Sequence, residues 1–191
     1  AAIALVGVRL WPHPPLADRG MYSVAVEDRH GKLLRLTLDA DQRYRLWTPL
    51  SQISPNLVQA VLLHEDAWYW WHPGVNPFSV ARGAWSTYSG EARIGASTIT
   101  MQLARLRWRL DTRHPSGKLL QMARALQLEA CYSKREILEA YLNAAPYGGN
   151  IEGVGAAARI YFRKDASELT LPEALTLAVL PQAPSRRGRL S

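Results

Sequence analysis

Between His64 and Gly74 the chain reads His-Glu-Asp-Ala-Trp-Tyr-Trp-Trp-His-Pro-Gly, and here proton-transfer chemistry is best provided for. Two adjacent carboxylates run into consecutive aromatics, and an apolar surround raises a carboxylate toward the working range of a general base. Neighbours in a helix do not share a face, so Glu65 and Asp66 have different tasks. The plainer reading makes Trp68 to Trp71 packing residues and the two carboxylates a solvated helix end. A helical two-histidine zinc site is excluded, because the position four after His64 is Trp68.

A second string, Gly95-Ala96-Ser97-Thr98-Ile99-Thr100-Met101-Gln102-Leu103-Ala104-Arg105, opens a helix with small residues and hydroxyls. Its first amides could receive an oxyanion or phosphate, with Gln102 and Arg105 on the face of the Ser97 end; the alternative is an ordinary N-cap. Arg105, Arg107, Arg109, Arg113, His114 and Lys118 follow closely. Such a run suits a pyrophosphate through charge-assisted bonds, and suits nucleic acid equally well with Trp108 inside it. Two other strings lack support: Gly153-Val154-Gly155 has no βαβ pattern around it, and no Ser-x-x-Lys or Lys-Thr-Gly of an acyl-transfer serine occurs.

The elements that must position these groups are mostly helical. The 191 residues fit one domain, and 48% hydrophobic against 20% charged content excludes a disordered tail. Lys plus Arg number 23 against 16 Asp plus Glu, so the formal charge of +7 favours an anionic partner or membrane surface. The lone Cys131 says little about redox compartment. Ala1 to Val8 reads either as the last turns of a longer apolar segment or as a buried terminal element, and Trp11 to Pro15 as a linker. Alternation from Tyr22 to Glu27, turn residues Asp28 to Gly31 and a return from Lys32 to Leu38 predict a hairpin. Capping signals at Ser54, Asn76, Ser133 and Thr170 predict helices near 55–66, 77–88, 97–109, 117–131, 134–143 and 171–180. The Gly-rich stretch from Gly148 to Gly155 interrupts this run before a short helix over 156–161. The class is mainly α.

Taken together, these strings resemble the family 51 glycosyltransferases, the peptidoglycan transglycosylases. Glu65-Asp66-x-x-Tyr69-x-x-His72-x-Gly74 is similar to the family's first motif, with Tyr where Phe is usual. Gly95-x-Ser97-Thr98-Ile99-Thr100-x-Gln102 is similar to the second, and Lys134-x-x-Ile137-Leu138-Glu139-x-Tyr141-Leu142-Asn143 to the fourth. The third departs: where the family carries Arg-Lys-x-x-Glu, this chain has Gly117-Lys118-Leu119-Leu120-Gln121. The likeness runs from about Tyr22 to Ser185.

The resemblance implies a lysozyme-like helical domain with a small N-terminal β-hairpin over 21–191, and places the end of a membrane anchor and a linker in 1–20. It implies that lipid II is polymerised into β-1,4 glycan strands and undecaprenyl pyrophosphate released. Glu65 takes the place of the general base, and Gln121 stands at the second catalytic position, where an amide neither gives nor takes a proton at ordinary pH. Ser97, Thr98, Gln102, Arg105, Arg113 and Lys118 form the substrate-binding set around the donor's pyrophosphate, with Asp66 orienting backbone and neighbours beside them. No cofactor is required and no metal ligands are assigned; a divalent cation, Mg or Mn, is admitted. The implied partners are lipid II, the growing strand, the membrane surface and cell-wall synthesis proteins, with no nucleic acid; the implied location is the outer, periplasmic face of the bacterial cytoplasmic membrane. Two alternatives stay open: a lysozyme-like glycan hydrolase, and a weakened family member acting as a cell-wall scaffold.

Overall fold

The computed structural model describes residues 14–17, 22–30, 33–82 and 97–181. The apolar start, most of the linker, Trp85, Tyr88, Gly95 and everything after Pro181, including Pro184-Ser185 and the basic run from Arg186, lie outside the described residues. In chain order the elements are β1 (Ala25–Glu27), β2 (Leu33–Leu36), β3 (Tyr44–Arg45), α1 (Pro55–Glu65), α2 (Ile99–Arg107), α3 (Pro115–Cys131), α4 (Lys134–Ala144), β4 (Pro146–Gly148), β5 (Ile151–Glu152), α5 (Val154–Phe162) and α6 (Leu171–Val179). Short 3-10 turns lie at Leu50–Gln52, Tyr69–Trp71 and Ala166–Glu168, and residues 77–82 are helical. The described chain is mainly α with small β elements, as the sequence implies.

The chain divides into two compact units. One comprises Pro15–His64 and Glu139–Ser191. In it β1 and β2 pair antiparallel, with Ala25 opposite Leu36 and Val26 opposite Arg35, as the alternating leucines predict. The sequence does not predict a second sheet of order β3-β5-β4, parallel between β3 and β5 and antiparallel between β5 and β4. Its two- and three-residue strands are too short to show alternation, and the sequence reads only as a Gly-rich interruption there. The core gathers Leu57 and Val61 of α1, Leu142, Tyr147, Leu177 and the small residues Val154 to Ala158 of α5. Small residues are required at that turn, because a Cβ on Gly155 would collide with Thr48 Oγ1 and lie 2.8 Å from the Leu46 carbonyl oxygen.

The other unit comprises Ala1–Pro14 and Glu65–Leu138. Here α2 and α3 pack side by side, burying Ile99, Met101, Leu103, Ala125 and Leu128 with Tyr69 and Ile137. Fully burying a side chain of this size contributes ~1.5–3 kcal/mol.

The capping signals locate the helix starts within a few residues. Thr170 and Glu173 form a capping box at α6, and Ser133 and Glu136 form one at α4 through bonds of 2.8 and 3.3 Å. Asn76 Oδ1 accepts from the amides of Phe78 and Ser79 at 3.0 and 3.3 Å. Ser54 differs from expectation: its hydroxyl donates to the Leu169 carbonyl at 3.3 Å instead of serving the α1 amides. α3 begins earlier than expected, with Pro115 in its first turn, where a missing N–H costs nothing.

Candidate active site

Glu65 is the last residue of α1, so its side chain leaves the helix where the chain turns away. Gln102, one turn into α2, donates from Nε2 to Glu65 Oε2 at 2.7 Å. The other oxygen, Oε1, is buried and has no hydrogen-bond partner among the described residues. Burying an acceptor unpaired costs ~1–3 kcal/mol, so such an oxygen invites a donor. One oxygen tethered and one open is the arrangement a general base needs.

Asp66 is spent on architecture. Buried, it accepts from His72 Nε2 at 2.9 and 3.0 Å and from the amide of Ile99, the first residue of α2, at 3.0 Å. A carboxylate at this helix start satisfies an orphan N–H and complements the dipole. The Gly74 amide donates to His72 Nδ1 at 3.2 Å, which leaves the neutral ring's proton on Nε2, facing Asp66. Thr98 caps the same helix: its hydroxyl accepts from the Met101 amide at 3.1 Å and donates to the Gly74 carbonyl at 2.5 Å. Gly74 has φ +89°, and a Cβ there would lie 2.7 Å from Glu129 Cγ and 3.0 Å from the Ala125 carbonyl oxygen. Asp66 and Thr98 are thereby both bonded into the frame that carries the start of α2.

Ser97, just ahead of that cap, accepts from Lys118 Nζ at 2.6 Å. Burial lowers the pKa of the Lys118 ammonium, and the neighbouring Arg105 charge lowers it further. Lys118, from the first turn of α3, thus meets Ser97 ahead of α2, while Arg105 lies in the last turn of α2 and is exposed. Arg113 is not drawn in: its side chain is 90% exposed, 3.9 Å from Asp111. Gln102 was expected on the diphosphate, and its amide nitrogen sits on Glu65 instead. Gln121, one turn after Lys118, is 1% exposed. Its Nε2 donates to the Met101 carbonyl at 2.7 Å, and its Oε1 is buried with no partner among the described residues. Gln121 is thus a clasp between α3 and α2, one residue from Gln102.

The fourth motif carries roles that sequence reasoning missed. Lys134 Nζ donates to the His72 carbonyl and to Glu129 Oε1, each at 2.7 Å, and sits 4.3 Å from the Tyr69 ring centroid. Thr100 also donates to Glu129 Oε1, at 2.7 Å, and Tyr69 donates to the Lys134 carbonyl at 2.7 Å. Burial pushes the Tyr69 phenol up, with the Glu129 and Asp66 charges adding to it. In the other unit Glu139 Oε2 accepts from the Leu50 amide at 2.7 Å, while Asn143 exchanges two 2.8 Å bonds with the Thr48 backbone. The spacing within Lys134 to Asn143 could have flagged these residues, but their partners are remote in sequence.

Among the described residues no cluster of three His, Cys, Asp or Glu side chains would cage a metal ion. The positive charge beside Ser97 is that of Lys118.

Compared with known proteins, the chain matches the transglycosylase family profile over residues 30–190. It is 48% identical over 182 residues to penicillin-binding protein 1C of Escherichia coli K12, covering 93% of this chain and 23% of that one. It is 41% identical over 145 residues to penicillin-binding protein 1A of the same organism, covering 75% of this chain and 17% of that one. The biosynthetic peptidoglycan transglycosylase of Rhizobium etli is 38% identical over 145 residues, 75% of this chain and 62% of that protein. Among solved structures, penicillin-binding protein 1A of Haemophilus influenzae aligns with TM-score 0.41 and 23% identity over 86% of this chain and 15% of that one.

Proposed function

This chain belongs to the transglycosylase family, and from that premise we propose that it is a peptidoglycan glycosyltransferase that polymerises lipid II. The observation that carries the reading is the Glu65 carboxylate, held by Gln102 on Oε2 and open on a buried Oε1. Glu65 takes the proton of the acceptor's 4-hydroxyl as that oxygen attacks the anomeric carbon of the strand's reducing-end sugar. The anomeric carbon–oxygen bond breaks, the electron pair leaves on undecaprenyl pyrophosphate, and the α-linkage becomes a β-1,4 bond. The departing diphosphate spreads its charge over several oxygens, and the bonded pair of Lys118 ammonium and Ser97 hydroxyl supports their reception, with Arg105 adding positive charge.

A glycan hydrolase would use a second carboxyl group. Asp66 is committed to His72 and Ile99, and Gln121 is an amide, which favours synthesis: a diphosphate departs without protonation. With Glu65→Gln, lipid II polymerisation in a gel assay is expected to fall by ~10²–10⁴. Polymer formed at the unmutated rate would reject the assignment. Turnover absent from the unmutated chain as well would turn the reading to a non-catalytic scaffold, and muropeptides released from sacculi to a hydrolase.

A lipid-linked substrate places the reaction at the outer face of the cytoplasmic membrane, beside other cell-wall synthesis proteins. Among the described residues no helix is long and apolar enough to cross a membrane. Trp71 and Phe78 nevertheless stand 82% and 86% exposed, and amphipathic aromatic residues of this kind partition into lipid head groups.

A further inference from the structure

A cleft of about 390 Å³ lies within the unit formed by residues 15–64 and 139–191, and the reaction above makes no use of it. Glu27, Trp47, Gln52, Arg159, Asp165 and Ser167 line it. Its volume falls in the lower range of small-ligand sites, ~300–1,000 Å³.

The walls are built to hold still. Arg159 pairs with Glu27 at 2.9 Å and with Asp165, and is 18% exposed. Asp165 also caps the 3-10 turn Ala166–Glu168 in a reciprocal capping box. Of the lining residues Thr48 has its backbone fixed at both N–H and C=O by Asn143. Gly155, Leu46 and Thr48 also line the cleft, and they approach so closely that a side chain on Gly155 would not fit.

The chemistry of the lining selects its guest. Two carboxylates repel an anion, and the guanidinium between them repels a cation. What remains is a dense mixture of acceptors, donors and groups that are both, with Gln52 and Ser167 exposed and the Trp47 indole in the lining. A neutral polyhydroxylated molecule uses all of these at once. We propose that this cleft is a carbohydrate-binding subsite that takes a short stretch of glycan strand on residues the reaction does not use. The choice of glycan rests on the polymerase reading above.

The test titrates the 15N-labelled chain with a β-1,4-linked N-acetylglucosamine tetramer. Saturable shifts are expected at the Trp47 indole and at the Gln52 and Ser167 amides, with Kd about 1 mM. Gln52→Ala and Ser167→Ala, both at exposed positions, should each weaken binding several-fold, ~1 kcal/mol per lost hydrogen bond, while lipid II is polymerised at the unmutated rate. Trp47→Ala should weaken it further, but Trp47 packs against Tyr22 at 6.1 Å, so the two polar variants decide. Shifts absent from these residues, or indifferent to both polar variants, overturn the subsite. If lipid II is still polymerised in that case, the enzyme assignment survives the loss; binding here without polymerisation would leave the subsite and remove the enzyme.

Discussion

At the scale of single residues, the site rests on which side chains are spent and which are open. Among the described residues Asp66 and Thr98 are bonded to protein around the α2 start, whereas Glu65 keeps a buried oxygen in reserve and Lys118 holds a hydroxyl that a phosphate oxygen can replace. The lowered pKa of Lys118 has a directional consequence. On the proposed function the ammonium is the form that receives the diphosphate, and it is lost as pH rises through a pKa below that of an ordinary lysine. Donor binding should therefore fail on the alkaline side at lower pH than a free lysine would dictate. Lys118→Arg, charged at all working pH, should remove that limb from a pH profile of KM for lipid II; an unchanged limb would assign the titration elsewhere. The residue types of Glu65, Ser97 and Lys118 were legible as chemistry in the sequence. The pairings were not, because Gln102 and Glu65 lie far apart in the chain and periodicity carries no information about which side chains meet across elements. Gln121 shows the limit well. Its identity said that it moves no proton, and only the bond to the Met101 carbonyl shows what it does instead.

At the scale of elements, the helices and the β1–β2 hairpin announced themselves and the second sheet did not. Thr170 with Glu173 and Ser133 with Glu136 are local codes, each satisfied within four residues, and they mark true starts of α6 and α4. The sheet β3-β5-β4 joins Tyr44 to Ile151, a pairing that no local pattern encodes. The joint between α3 and α4 carries a testable weight. Glu129 and Lys134 are 8% and 19% exposed, and Thr100, His72 and Tyr69 converge on the pair. Lys134→Met strands the Glu129 carboxylate and should cost ~3–5 kcal/mol in chemical denaturation. Adding Glu129→Gln should recover part of that loss; no recovery would mean that the cost lies in packing against Tyr69 rather than in the unpaired charge.

At the scale of the molecule, a formal charge of +7 combines with exposed Trp68, Trp70, Trp71 and Phe78. Charge and aromatic exposure call for different lipids, so they can be separated. Flotation with anionic vesicles should fall as salt rises, since head-group attraction is worth ~1 kcal/mol per basic residue and is screened over about 8–10 Å. Trp71→Ala with Phe78→Ala should lower binding to neutral vesicles as well. Retention by neutral vesicles that ignores both substitutions would remove these aromatics from the interface. A surface this positive is crowded with small counter-ions from its surroundings. Because Lys118 is half-buried and its proton is already lent to the Ser97 oxygen, chloride arriving there finds the seat occupied and gains little by evicting the sitter. A multidentate anion sets several oxygens against that one hydroxyl, so on the proposed function a diphosphate should win Lys118 from monatomic counter-ions.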